Sequence, residues 1–162
     1  MQQPLPSFIR AGLTDAGGVP QSVNPRQFRA LCYTAARVTD GVVLGFDPPP
    51  FDIIKNFSLA VFQFSNSSGD PLVFLLMNHH APLLACASAQ DLTLHITFAF
   101  IDAPELTAPF APFFHILKKQ ELEHPWMWTE RELAFSLSPP EIKEITYWKP
   151  RTVGEAIFNF WD

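Results

Sequence analysis

From Asn56 to Ile101 the chain carries two formal charges, Asp70 and Asp91, and neither a lysine nor an arginine. A sheet made from such a stretch invites self-association wherever it meets water, because nothing charged guards its faces or edges. It must therefore be covered, either by helices of the same chain or by a second copy.

Within the stretch the apolar residues follow strand periodicity. From Phe57 to Ser65, the residues Phe57, Leu59 and Val61 fall on one face and Ala60, Phe62 and Phe64 on the other. Asn66-Ser67-Ser68-Gly69-Asp70-Pro71 is rich in turn formers and reads as a hairpin loop. Leu72 to Met77 is apolar without interruption, which predicts a strand buried on both faces. Asn78-His79-His80-Ala81-Pro82 reads as the next turn, and Leu83 to Cys86 as a short return strand. Leu92 to Phe100 alternates, with Leu92, Leu94, Ile96, Phe98 and Phe100 opposite Thr93, His95, Thr97 and Ala99. That second face is polar but uncharged, which suits a pocket floor or a subunit contact. Thr93, His95 and Thr97, with His79 and His80 from the preceding turn, are the candidate ligand-pocket residues.

The stretch before this block supplies one clear helix. Asn24 is a capping residue and Pro25 suits the first helical position. Phe28, Leu31, Cys32, Ala35 and Ala36 then repeat as a buried stripe, and the helix should end near Val38. Arg26, Arg29, Tyr33 and Arg37 share its other side, a pattern that fits either a solvated face or contact with an anion or acidic partner. Residues 1–23 show no periodicity and read as an irregular arm. Val42-Val43-Leu44 reads as a short strand, followed by a stiff crossing through Pro48, Pro49 and Pro50. Asp47 and Asp52 flank these prolines and are expected to cap turns.

Beyond residue 117 the chain changes character, with eight acidic and six basic residues between 118 and 162. Phe110, Phe113, Phe114 and Leu117 space as a helical stripe with Lys118 and Lys119 near its end, where cations favour the helix dipole. Leu133 to Leu137 and Ile145 to Trp148 read as strands. Ser138-Pro139-Pro140-Glu141 is a capping box that opens a short helical turn. A second box, Thr152-Val153-Gly154-Glu155, opens a terminal helix whose Val153, Ile157, Phe160 and Trp161 share one face. So apolar a helix must pack on something, either the sheet or another protein. Tyr147, Trp148, Phe158, Phe160 and Trp161 are accordingly the candidate partner-binding residues.

The chemistry-bearing residues are sparse. His79, His80, His95, His115 and His124 show none of the close spacings of zinc sites. There is no nucleophile elbow, phosphate-binding loop or dinucleotide fingerprint. Cys32 and Cys86 sit among apolar neighbours and read as buried, unreactive free thiols in a reducing compartment. A net charge of −5 disfavours nonspecific nucleic-acid binding. The longest apolar run is too short to cross a bilayer, and no basic-then-apolar leader is apparent at the start, so the expected location is the cytoplasm.

These readings converge on one α+β domain over residues 1–162, an antiparallel meander of four or five strands packed by an N-terminal and a C-terminal helix. The function they favour is a non-enzymatic protein-binding or scaffold module, a homo-oligomer acting through its aromatic and charge-free surfaces, with no cofactor and no metal. The alternative is a small-ligand binder or minor enzyme with a pocket at His79, His80 or His95.

Overall fold

The five antiparallel strands lie side by side in the order in which they occur in the chain. The computed structural model describes residues 5–13, 24–64, 72–89 and 98–161. The strands are β1 (Gly41–Phe46), β2 (Phe57–Phe64), β3 (Val73–Asn78), β4 (Leu83–Ala89) and β5 (Phe98–Ile101). A two-residue strand, β6 (His115–Ile116), pairs in parallel with the start of β4. The first part of the final alternating stretch, including Thr93, His95 and Thr97, lies outside the described residues.

The alternation read from the sequence sorts the side chains onto two cores. Phe57, Leu59 and Val61 of β2 and Phe74 and Leu76 of β3 enter one. Ala60 and Phe62 of β2 and Leu75 and Met77 of β3 enter the other. The first core is roofed by α1 (Ser7–Leu13), α4 (Lys119–Leu122), α5 (Glu130–Leu133), α6 (Pro139–Trp148) and α7 (Val153–Ile157). The second is roofed by α2 (Pro25–Val38), α3 (Pro104–Thr107) and the 3-10 turn Ala108–Phe110. Thus the described part of the charge-poor stretch is a middle layer, covered on both faces by its own chain. The α+β meander with an N-terminal and a C-terminal helix is the fold that forms.

Helix α2 begins as its capping signal requires. The Asn24 side chain accepts from the N–H groups of Arg26 and Gln27, and Phe28, Cys32, Ala35 and Ala36 are buried.

Other local expectations are corrected. The arm contains α1, which buries Ile9, Gly12 and Leu13. Residues 110–117 are not a helix. Pro112 has no N–H to give, and the N–H groups of Phe113 and Phe114 both turn back to Phe110 O. The chain then joins β4 through His115 N–H to Pro82 O and Leu117 N–H to Leu84 O, both 2.8 Å. The supposed stripe therefore divides, with Phe110 and Phe114 in one core and Leu117 in the other. Lys118 and Lys119 stand at the start of α4 rather than at a helix end.

Residues 133–137 are not a strand either. Thr129 and Glu132 form a reciprocal capping box that starts α5, and the following N–H groups bond back in tight turns. Ile145 to Trp148 is helical, because the box at Ser138 starts a ten-residue helix that runs through it. Lys149, at φ 50°, ends that helix by donating its N–H to Ile145 O.

The terminal helix is also shorter than its apolar pattern suggests. It stops at Ile157, and Phe158 is extended. The reason lies in three buried asparagines, Asn56, Asn78 and Asn159. The side-chain amides of Asn56 and Asn78 each donate to Gly12 O (3.3 and 2.8 Å) and to Ile157 O (2.9 and 2.8 Å). Those carbonyls belong to the last turns of α1 and α7, which have no intrahelical donor. Asn78 Oδ1 accepts from the N–H groups of His80 and Ala81. Asn56 Oδ1 accepts from Asn159 N–H, and Asn56 N–H donates to Asn159 O. The approach is close: a Cβ on Gly12 would stand 2.9 Å from Leu83 Cδ1 and 3.1 Å from Ile157 Cγ2.

Replacing Asn78 by Ala removes four hydrogen bonds at a fully buried position. We expect a loss of about 3 kcal/mol, read as a lower urea midpoint with an unchanged slope.

Candidate functional site

Two places gather residues with functional potential, one where β2 and β3 meet and one at the C-terminal segment. The first lies where β2 starts and β3 ends. His79 follows β3, and its N–H donates to Asn56 O at 2.8 Å. Its Nε2 shares a 2.9 Å hydrogen bond with Ser58 Oγ. Beside them, Lys55 Nζ lies 2.9 Å from Asp47 Oδ1, with the lysine side chain only 7% exposed. Asp47 Oδ1 also accepts from Leu59 N–H, and Asp47 N–H donates to Leu59 O. Asp47 is thus a structural clasp at a positive φ of 45°, made to β2 and Lys55 rather than through the local turn cap expected from sequence.

Burial, and the nearby Lys55 and His80, hold His79 below its ordinary value of 6.5, while Asp47 opposes them. A neutral ring can accept the Ser58 hydroxyl proton, which is half of what a nucleophile–base pair needs. His80 is held through its backbone, by Asn78 Oδ1. Of the five proposed pocket residues, the described ones are the sequence neighbours His79 and His80, the first bonded through its ring to Ser58 and the second through its backbone to Asn78. Thr93, His95 and Thr97 lie outside the described residues. Among the described residues, no three His, Cys, Asp or Glu side chains gather in a metal-holding group.

The second place is an aromatic cleft of about 500 Å3 between β5, the end of α6 and the C-terminal segment. Its construction starts at Lys149, whose left-handed conformation turns the chain out of α6. Pro150 follows and is buried. Arg151 then pairs with Glu155, four residues on, through Nε at 3.1 Å and Nη2 at 2.9 Å. Thr152 caps α7 by accepting from Glu155 N–H. The box is only half formed, because the Glu155 carboxylate serves Arg151 instead of the cap backbone.

After α7, Asn159 is locked into the asparagine cluster and donates from its amide to Ala156 O. It also accepts from Trp161 N–H, which directs the last aromatic residues across the sheet. The ring of Phe160 stacks on Phe98 at 6.3 Å and meets Phe57 edge-on at 5.3 Å. Phe158 packs against Phe100 at 6.3 Å. The indoles of Trp148 and Trp161 lie parallel within 4°, their centroids 6.5 Å apart. Beneath them Gly154 leaves the room that the Phe100 ring takes; a Cβ there would overlap it.

Of the five candidate partner-binding residues, Trp148, Phe158, Phe160 and Trp161 line this cleft. Tyr147 does not. It is 75% exposed and lines the neighbouring groove on α6, which Trp148 also borders. Sequence reading missed Phe98, Phe100, Arg151 and Glu155 as parts of the site. The i, i+4 spacing of Arg151 and Glu155 was a usable signal; the aromatic strand residues carried none, because they look like any core residue.

The two cysteines are buried free thiols. Burial raises both, and Asp102 adds to the effect at Cys86, which is pushed up to about 12. Comparison with protein-family models, curated proteins and solved structures finds no match to this chain.

Two measurements check these electrostatics. The His79 ring should titrate by NMR below 6.5, and Lys55→Met should raise that midpoint by removing a nearby cation. Because folding favours the neutral ring, the stability it contributes is complete above pH 6.5 and fades as the pH falls through the lowered folded value. Cys32 and Cys86 should resist a thiol reagent at about pH 8 in the native protein and react only on unfolding.

Proposed function

We propose that the protein is a non-enzymatic binding module that captures an aromatic-bearing segment of a protein partner in the cleft between β5, α6 and the C-terminal segment. The observation that carries this reading is convergence. Aromatic residues from three separate parts of the chain meet around one cavity, and its rim remains open, with Trp148 41% exposed. A cavity of this size, mostly apolar with a few fixed polar groups, has the make-up of a binding site. Arg151 and Glu155 supply those polar groups at the mouth. Tryptophan, tyrosine and arginine are also the residues that dominate binding energy at protein interfaces. Self-association, expected from the sequence, would on this reading run through the cleft, because helices already occupy the described sheet faces.

Peptides selected by display on the wild-type protein test the proposal. Those that bind should carry an aromatic side chain and lose about 30-fold in affinity on Trp161→Ala, equivalent to about 2 kcal/mol at an interface anchor. Phe135→Ser, at a position 86% exposed elsewhere on the surface, should leave their binding unchanged. Peptides indifferent to Trp161→Ala and to Phe160→Ala would overturn the assignment. A concentration-dependent mass in light scattering that Trp161→Ala abolishes would identify the partner as a second copy.

A second reading has its own observation, the Ser58–His79 hydrogen bond. It supports a small-ligand site or minor enzyme at the β2–β3 end. A serine-directed fluorophosphonate that labels the wild-type protein but not Ser58→Ala would support it.

A further inference from the structure

The edge of the sheet opposite the aromatic cleft is formed by β1, which pairs with β2 and with no other described strand. Its sequence, Gly-Val-Val-Leu-Gly-Phe, has no charge and no proline, two usual guards of an exposed edge, although its pairing with β2 shifts register between Val43 and Gly45. Val42 and Leu44 are 58% and 52% exposed, on the face away from α2, while Val43 and Phe46 pack beneath it.

The flank of α2 that overhangs this edge is basic. Arg29 lies over the Phe46 ring at 4.8 Å, and Tyr33 packs on the same ring at 6.0 Å. These contacts fix which side of the helix faces the edge. Arg26 and Arg37 share that side by helical spacing, and all three arginines are exposed. No carboxylate pairs with any of them among the described residues. The nearby acids are engaged or outnumbered: Asp47 holds Lys55, and Asp40 is one carboxylate beside three arginines. In a protein of net charge −5, a concentrated basic flank beside a strand edge that bears no charge and no proline is a conspicuous local reversal.

We propose that β1 accepts an extended acidic segment of another protein as a sixth meander strand, with its carboxylates facing the α2 arginines. The geometry dictates a pattern. Side chains of an added strand alternate between faces, so every second residue would be acidic, toward Arg26, Arg29 and Arg37. The intervening residues would be apolar, beside Val42 and Leu44. A second copy of this chain fits poorly. Antiparallel β1–β1 pairing about a two-fold axis would set the arginine flanks of both α2 helices side by side. The site is separate from the cleft and does not depend on it.

A fluorescent peptide of alternating glutamate and valine tests the idea by anisotropy against the full chain. Binding should weaken at least tenfold when glutamine replaces glutamate, and should weaken as salt rises above about 150 mM. N-methylation of every second peptide amide should abolish binding in one register and spare it in the other, since only one set of amides faces β1. On the protein, Arg26→Glu with Arg37→Glu should weaken binding at least tenfold, and these exposed positions leave the Arg29–Phe46 contact in place. Amide shifts in NMR should concentrate on Gly41–Phe46 and α2. Binding indifferent to N-methylation in both registers would reduce the surface to charge alone and overturn strand addition. Failure of the peptide to bind, or its displacement by oligothymidylate at lower concentration than by unlabelled peptide, would overturn the choice of an acidic protein segment.

Discussion

The asparagine cluster is the interaction on which the remaining architecture hangs. Two helices on the same side of the sheet, α1 and α7, both end inside the protein, and a buried helix end leaves carbonyls that water cannot reach. Asn56 and Asn78 meet that need by offering both of their amide N–H groups to both helices. The same two side chains use their oxygens to hold the β3–β4 bend and the segment after α7. One cluster thus joins the start of β2, the end of β3, an N-terminal helix and the C-terminal segment, with single hydrogen bonds that span as many as 103 positions in sequence. Its satisfaction matters more than its strength. A buried amide that lost its carbonyl partners would cost more than an ordinary hydrogen bond contributes.

This cluster also explains which parts of the chain could be read in advance. Strand alternation in β2 and β3 was legible because each face enters a different core and each side chain is judged by burial alone. The start of α2 was legible because Asn24 and Pro25 are local signals. The end of α7 was not, since Phe158, Phe160 and Trp161 keep a helical spacing and only the distant Asn56 and Asn78 decide that the helix stops. The helix α1 was missed for a related reason. Its seven residues are too few to show a period, and they are held by packing and by Asn78 rather than by propensity.

Elsewhere local signals in the sequence compete with one another. Pro112 should have outweighed the apolar stripe at Phe110, Phe113, Phe114 and Leu117, since it cannot donate within a helix. Thr129 and Glu132 form the same kind of box as Ser138 and Glu141, but the apolar residues after them also fit a strand. The candidate site was legible only in part. The final aromatic residues stood out by composition, and Trp148 by its neighbourhood. Their meeting with Phe98 and Phe100 depends on a turn at Lys149 and on the anchoring of Asn159, neither of which leaves a mark in spacing.

The consequence for function is a coupling between the buried cluster and the cleft. Asn159 belongs to both: its backbone is held by Asn56, and its side-chain oxygen receives Trp161 N–H. The positions of Phe158, Phe160 and Trp161 are therefore set from inside the protein, by groups that never touch the cavity. A cleft wall assembled from helix alone would carry its aromatics at a spacing of one turn. An extended segment pinned at Asn159 instead sends Phe160 onto Phe98 and Phe57, and Trp161 alongside Trp148. The early end of α7 is what opens the aromatic wall, and the asparagines that end it hold that wall in place from within the protein.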